Sequence, residues 1–281
     1  MSNRIQLDWF NSEFAERAGA IREGRMAPAA ARDAATVIVT RPSPAGAEIL
    51  MLKRPGTMNF AAGAYVFPGG RVDAADADAG IGWHGAPPEE FGAKLGVSPA
   101  EARALVVAAV RETYEESGLL LAGTPDGGTV VPSGPDWQRD RAALNAGELS
   151  FPDFLVKRGL VILADTVVPW ARWITPAAEP RRYDTRFFAA LVPPGQSADG
   201  HIAEADRVDW VAPARALDAA RAGEIVLLPP TATTLAEFAA VTDDLSGFLR
   251  QPRAITPIQP VVVAENGRAW LEIPEGVAYP L

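Results

Sequence analysis

Three carboxylates stand within Arg111-Glu112-Thr113-Tyr114-Glu115-Glu116-Ser117-Gly118-Leu119, a local density of negative charge that calls for a chemical reason. Glu112 and Glu116 are one helical turn apart, and like charges at that spacing repel. Helical periodicity puts Ala102, Leu105, Val106, Ala109, Val110 and Thr113 on one apolar face, with Glu112 and Glu116 at its edge and Glu115 one step further round. Partly buried carboxylates are costly unless something compensates them. A hard divalent cation, which prefers oxygen ligands, would do so. Glu112, Glu115 and Glu116 therefore read as a metal site, and the plain alternative is a solvated acidic turn. The helix that carries them is bounded by its own residues. Ser98-Pro99-Ala100-Glu101 reads as a capping box, with Ser98 as N-cap, Pro99 at the first helical position and Glu101 reaching back. Gly118 suits the left-handed residue that closes the helix.

Upstream lies Phe67-Pro68-Gly69-Gly70-Arg71-Val72-Asp73-Ala74-Ala75-Asp76. Taken with the helix, this segment resembles the Nudix hydrolase signature: a glycine, five residues, a glutamate, seven residues, then Arg-Glu-x-x-Glu-Glu-x-Gly. Gly70 fits the opening glycine, and Arg111, Glu112, Glu115, Glu116 and Gly118 fit the second half. The chain departs from the pattern in three places. Asp76 stands where glutamate is usual, Thr113 stands where an aliphatic residue is usual, and the gap has grown to the whole of 77–110. A signature split in this way resembles one branch of the superfamily, the peroxisomal coenzyme A-diphosphatase type and its bacterial relatives. The similarity extends to Leu52-Lys53-Arg54 with 60–70, to Trp173-Ile174-Thr175-Pro176 with 181–188, to 204–210, and to Leu228-Pro229-Pro230-Thr231, so it covers roughly 34 to 250.

The resemblance implies an α/β fold: a Nudix α/β/α sandwich around a mixed sheet, formed as a single domain over 1–281. Its additions are an N-terminal extension (1–33) with a helix, an insertion within the box (77–97) and a C-terminal hairpin extension (251–281). It also implies a magnesium-dependent hydrolase, with manganese as a substitute ion, that cuts a diphosphate linkage in a nucleotide-containing metabolite. Coenzyme A or its esters come first; NADH, ADP-ribose and nucleotide sugars are alternatives, and a non-catalytic ligand sensor on the same fold is the alternative from another class. Glu112 and Glu116 are then metal ligands with Glu115 supporting, and the carbonyl of Gly70, a residue without a Cβ, could approach the ion closely. The catalytic set is Glu115, Glu204 and Arg111. Glu204 holds the position of the loop glutamate that serves as general base in many Nudix enzymes, with a solvated loop acid as its alternative. Arg111 is expected to orient the glutamates by ion pairing. Arg54, Arg181 and Arg182 could grip phosphates through their planar forks, and Trp173 or Trp170 could stack on adenine, each with a packing or surface role as its alternative. Asp184 is expected to partner Arg181 or Arg182, and His201 to lie on the surface.

Composition bounds the rest. With 281 residues, 48% of them hydrophobic, the chain can bury a full core. Its net charge of −9 argues against nucleic acid or an acidic membrane as partner and leaves a small-molecule diphosphate substrate. It has no cysteine and only His84 and His201, which excludes thiolate chemistry and a multi-histidine zinc site. No targeting segment is apparent, nor any apolar run of about 18 residues, so the expected setting is cytoplasmic, with a homodimer left open.

The elements that must position the site follow from pattern. Residues 4–24 read as an N-terminal helix, 35–40 and 48–53 as two strands, and 77–97, rich in Gly, Ala and Pro, as an exposed insertion without apolar periodicity. Residues 123–136 read as a loop, 137–158 as helical, and 162–168 and 185–192 as strands. The segments 213–223 and 231–249 read as helices. Two further strands, 261–263 and 269–273, are turned by Glu265-Asn266-Gly267, where Asn-Gly favours a tight hairpin. Interleaved strands and helices suit the sandwich.

Overall fold

The computed structural model describes residues 4–6, 12–44, 46–56, 63–199, 207–241, 243–265 and 268–281. In chain order they form β1 (Arg4–Gln6), α1 (Ser12–Arg22), β2 (Ala31–Ser43), β3 (Gly46–Lys53), β4 (Ala64–Val66), β5 (Gly69–Arg71), a 3-10 turn (Ala74–Ala77), β6 (Trp83–His84), α2 (Pro88–Leu95), α3 (Pro99–Ser117) and β7 (Ala122–Gly123). Then come α4 (Pro135–Asn145), α5 (Phe151–Arg158), β8 (Val161–Leu163), a second 3-10 turn (Ala164–Thr166), β9 (Val168–Ile174), β10 (Arg182–Leu191) and β11 (Arg207–Val211). The chain closes with α6 (Pro213–Arg221), β12 (Val226–Leu227), α7 (Pro229–Ala239), α8 (Leu245–Leu249), β13 (Pro257–Ile258), β14 (Val261–Glu265) and β15 (Arg268–Glu272).

β2 organises the main sheet. Successive strand side chains point to opposite faces, so Val37 and Val39 join the core that includes α3, while Ile38 joins the core that includes α6, α7 and α8. β3 repeats the division with Leu50 on the first face and Ile49 and Met51 on the second; β10 does so with Phe188 and Ala190 against Phe187 and Ala189. A sheet apolar on both faces needs helices on both, which yields the α/β/α sandwich. The sheet is mixed. Its order is β12-β4-β3-β2-β10-β9-β13, with β11 added on β3 and β5 on β2. β2 runs parallel to β10 and antiparallel to β3. It is long enough to pair twice along one edge, through 40–43 with β3 and through 34–36 with β5. The second pairing fixes the glycine loop to the middle of the sheet.

Several elements differ from the sequence expectation. The stretch 4–24 holds a short strand, β1, paired with β15, and the helix α1. The insertion 77–97 is not an exposed loop. It contains β6, paired with β8, and α2, opened by Pro88 and closed by Gly96 at φ 68°. Ile81, Phe91 and Leu95 are buried, the last two one helical turn apart on a single face. That face packs against α3, which itself packs on β2 and β5. As a result α3 is buried all round its middle, from Ala104 to Val110, rather than along one stripe. The helical stretch 137–158 is broken between α4 and α5, where Gly147 sits at φ 69° and Ser150 caps α5. Likewise 231–249 divides into α7 and α8, the latter capped by Asp244. The strand expected at 162–168 ends at Leu163, and the tryptophan segment after it is itself a strand, β9. β14 and β15 form the expected antiparallel hairpin, with its Asn266-Gly267 turn outside the described residues. Among the described residues, no helix is long and apolar enough to cross a membrane.

Candidate active site

α3 begins and ends as its sequence dictates. Ser98 accepts from the Glu101 N–H, the Glu101 carboxylate accepts from the Ser98 N–H, and Gly118 closes the helix at φ 75°. Arg111 is the hinge between its last turns and the glycine loop. Its guanidinium donates through Nε and Nη2 to the two oxygens of Asp76, both at 2.9 Å, and through Nη2 to the Arg71 carbonyl at 2.9 Å. Nη1 donates to Glu112 at 2.8 Å and to Glu115 at 3.1 Å. Burial opposes its charge, but Asp76, Glu112 and Glu115 together hold it protonated more firmly than usual. The rigid fork of arginine suits this use, in which one group orients two glutamates from a fixed anchor. Asp76, in place of the expected glutamate, is 1% exposed, and its side chain also accepts the Asp73 N–H at 2.8 Å. Both of its oxygens face Arg111, so its shorter side chain serves to seat that arginine.

The glycine loop docks on the glutamates. The Gly69 N–H donates to Glu116 at 2.8 Å. A Cβ on Gly70 would lie 2.3 Å from Oε1 of Glu112, so only glycine allows the carboxylate against the backbone there. Burial is the main reason the Glu112 carboxyl is pushed up to about 7; Arg111 opposes the shift and Glu115 adds to it. Glu115 is raised for the same reasons, burial first with Arg111 opposing. As the side chains stand, no three acids among the described residues form a group able to hold an ion. Glu112 and Glu115 instead direct oxygens at Arg111, and Glu116 at Gly69. The donor set nevertheless suits a hard divalent cation. It is all carboxylate oxygen, it lies beside a backbone stripped of its Cβ, and it carries more buried negative charge than one arginine relieves.

A cleft of about 700 Å³ borders the glycine loop, lined by Gly69, Gly70 and Arg71 at one side and by Trp173, Thr175 and Glu179 at another; Glu112, Glu115 and Glu116 are not among its lining residues. Of the substrate-binding candidates, Arg54, Arg181 and Trp173 line it. Arg182 does not, since its guanidinium donates to the carbonyls of Thr175 and Ala29. Trp170 and Trp173 are both buried in the same core despite their odd spacing on a strand. The β9–β10 register explains this: Ala171 pairs with Phe187 and Pro169 with Phe188, so Trp170 is the extra residue of a bulge that turns it to Trp173's side. Trp170 donates from Nε1 to Glu237 at 2.9 Å and lies beneath Arg253, 3.8 Å from ring to guanidinium, which makes it a packing residue. Asp184 pairs not with Arg181 or Arg182 but with Arg172, at 2.6 Å, and Arg186, at 2.9 Å, on its own strand and its neighbour.

Two side chains that the sequence did not single out shape the end of α3. Gln196 donates to the carbonyls of Leu120 and Val130, at 3.0 and 2.8 Å, and accepts from the Leu120 N–H at 2.8 Å. Arg141 donates to the Glu115 carbonyl at 3.1 Å and to Asp199 at 3.3 Å, while the Asp199 N–H reaches the Ser117 carbonyl at 2.9 Å. Together they staple 196–199 to the end of the glutamate helix. Partners so far apart in sequence leave no local signal. Glu204 and His201 lie outside the described residues.

A family model described as the NUDT19 Nudix domain matches residues 89–238, more than half of the chain, and the chain belongs to that Nudix family. Putative nudix hydrolase 7 of Caenorhabditis elegans is 32% identical, over 78% of this chain and 65% of the relative. The acyl-coenzyme A diphosphatases NUDT19 of Gallus gallus and Homo sapiens are 30% and 28% identical, over 71% and 73% of this chain and 65% and 64% of theirs. The chain thus spans just under two thirds of the length of these curated relatives. Among solved structures, a Nudix hydrolase from Alicyclobacillus acidocaldarius superposes with a TM-score of 0.65 at 28% identity, covering 81% of this chain and 99% of that one.

Proposed function

We propose that this chain is a divalent-metal-dependent hydrolase that cleaves the diphosphate linkage of coenzyme A esters. The observation that carries the reading is the docking of the glycine loop on the glutamate turn, with Gly69 bonded to Glu116 and Gly70 against Glu112 beside the cleft. Glu112 and Glu116 would hold magnesium, or manganese in its place, with Glu115 and the Gly70 carbonyl supporting. When bound, the ion neutralises the diphosphate and acidifies a water. Arg111, seated by Asp76, keeps the glutamates oriented and has no need to touch the substrate. Arg54 and Arg71 supply positive charge in the cleft for phosphate oxygens, while Arg181 lies on the connection that also carries Glu179. Glu204 is the general base in this reading, on the position it shares with the loop glutamate of many Nudix enzymes. The relatives named acyl-coenzyme A diphosphatase favour coenzyme A esters over NADH, ADP-ribose and nucleotide sugars, whose diphosphates the same groups would suit.

The test is kcat/KM for an acyl-coenzyme A, NADH, ADP-ribose and nucleoside triphosphates, each with magnesium and with chelator. Turnover of the acyl-coenzyme A that is highest of the set and abolished by chelator is the expected result. Preference for another diphosphate would overturn the substrate assignment alone. Tight binding without turnover of any of them would replace the hydrolase with a ligand sensor.

A further inference from the structure

We infer that Glu179 is a substrate-recognition residue, accepting a hydrogen bond from an amide N–H on the uncharged arm attached to the diphosphate. This rests on the hydrolase reading above and adds to it the part of the substrate that the cleft selects.

The cleft has a floor that can be read from strand register. Arg71 on β5 pairs with Ala34 on β2, Ala34 with Thr185 on β10, and Thr185 with Trp173 on β9. All four residues line the cleft. At about 4.8 Å per strand, this row spans roughly 14 Å from the glycine loop to Trp173. The next residues after Trp173 leave the sheet as the connection to β10, and this connection carries Glu179.

Most of the lining along this path is apolar, including Val66, Phe67, Phe187, Pro176, Pro180 and Leu228, with Arg181 as the cation on the connection that carries Glu179. Such a surface suits an alkyl arm with few polar atoms. It suits a stacked adenine less well, because Trp173 is only 4% exposed and has no free ring face to offer. Within this apolar wall Glu179 is anomalous. It is 8% exposed, and burial raises the pKa of its carboxyl against the opposing charge of Arg17. Its carboxylate has no hydrogen-bond or ion-pair partner among the described residues. Its oxygens are not among the fully buried atoms that lack a partner, so they reach the cleft, where a ligand donor can meet them. A carboxylate completes itself with N–H or O–H donors and repels phosphate. The ligand end near Glu179 is therefore neutral and donor-bearing. A pantetheine arm meets both conditions: it is largely alkyl and carries two amide N–H groups. At about 1.2 Å per bond in an extended chain, its second amide lies roughly 12 Å from its phosphate, a reach of the same order as the row that ends at Trp173.

The experiment compares wild type with Glu179→Ala and Glu179→Gln in two assays. In the first, Glu179→Ala raises KM for an acyl-coenzyme A about tenfold, equivalent to ~1.4 kcal/mol, with kcat unchanged and ADP-ribose kinetics unmoved. Glu179→Gln, which keeps an acceptor oxygen, recovers part of that loss. The second is calorimetric titration with 4′-phosphopantetheine and, separately, adenosine 3′,5′-bisphosphate. Glu179→Ala weakens the first about tenfold and leaves the second alone. An unchanged phosphopantetheine affinity in a folded Glu179→Ala protein would overturn the proposal, as would weakening of the bisphosphate instead, which would give Glu179 to the nucleotide. Absence of turnover in wild type would count against the hydrolase, yet the titrations would still decide the role of Glu179.

Discussion

Replacing Gly70 by alanine separates geometry from stability at the candidate site. The residue's backbone lies outside the left-handed region, so alanine can adopt it without strain. The new Cβ, however, would stand 2.3, 2.5 and 2.7 Å from Oε1, Cδ and Oε2 of Glu112. Ordinary contact begins near 3.4 Å, so the carboxylate must retreat by about 1 Å. The side chain can swing, and the misplaced ligand is expected to lower kcat/KM about a hundredfold, the usual consequence of such a shift at a reacting centre. Stability should change little. The weakened bond to Arg111 costs about 1 kcal/mol, and the stiffer unfolded chain returns roughly 0.4–1 kcal/mol. Gly69 is the control. A Cβ there would meet the Ala35 carbonyl oxygen at 2.5 Å and the Thr36 Cα at 2.7 Å, backbone atoms that cannot swing aside. Gly69→Ala should therefore part β5 from β2 and cost about 1–3 kcal/mol. Magnesium-dependent turnover and thermal unfolding of both variants test the argument. Wild-type kcat/KM in Gly70→Ala across a magnesium titration would refute it, and so would a fall in its Tm equal to that of Gly69→Ala.

Four other outcomes follow from the same geometry. Glu112→Gln and Glu116→Gln should each lower turnover roughly a hundredfold or more while remaining folded, and near-wild-type kcat in both would remove them as metal ligands. Phe91→Ala should cost about 3–5 kcal/mol in denaturant unfolding, because α2 covers α3; a change under 1 kcal/mol would mean the insertion is dispensable. Gln196→Ala removes three hydrogen bonds and should lower unfolding free energy by about 2–3 kcal/mol with an unchanged m-value, a loss that an unaltered midpoint would contradict. Glu179→Gln should raise Tm at neutral pH. The native carboxyl titrates higher than in the unfolded chain, so its ionisation costs stability once pH exceeds the ordinary glutamate range. That gain should fade as pH falls through the ordinary range, where both states are protonated, and a gain of equal size at all pH values would contradict burial as the cause.

Features specified by local interactions can be read directly from this chain. The box helix was legible to the residue because capping at Ser98, Pro99 and Glu101 acts over three residues and Gly118 over one turn. Strands were legible at 35–40, 48–53 and 185–192, within or overlapping β2, β3 and β10, and Arg111 as the partner of nearby glutamates. Other features depend on contacts between distant segments. Asp76 reaches Arg111 across the insertion, α2 is buried because a second helix lies beneath it, and Gln196 matters only where the chain returns to Leu120. The tryptophans went to the core because of a bulge that depends on β10, and Glu179 lacks a hydrogen-bond or ion-pair partner among the described residues because the surfaces around it converge from distant segments. The physical reason is common to all of these. Capping and periodicity act within a turn or two of chain, whereas burial, ion pairing and cleft shape depend on which distant residues come to lie together.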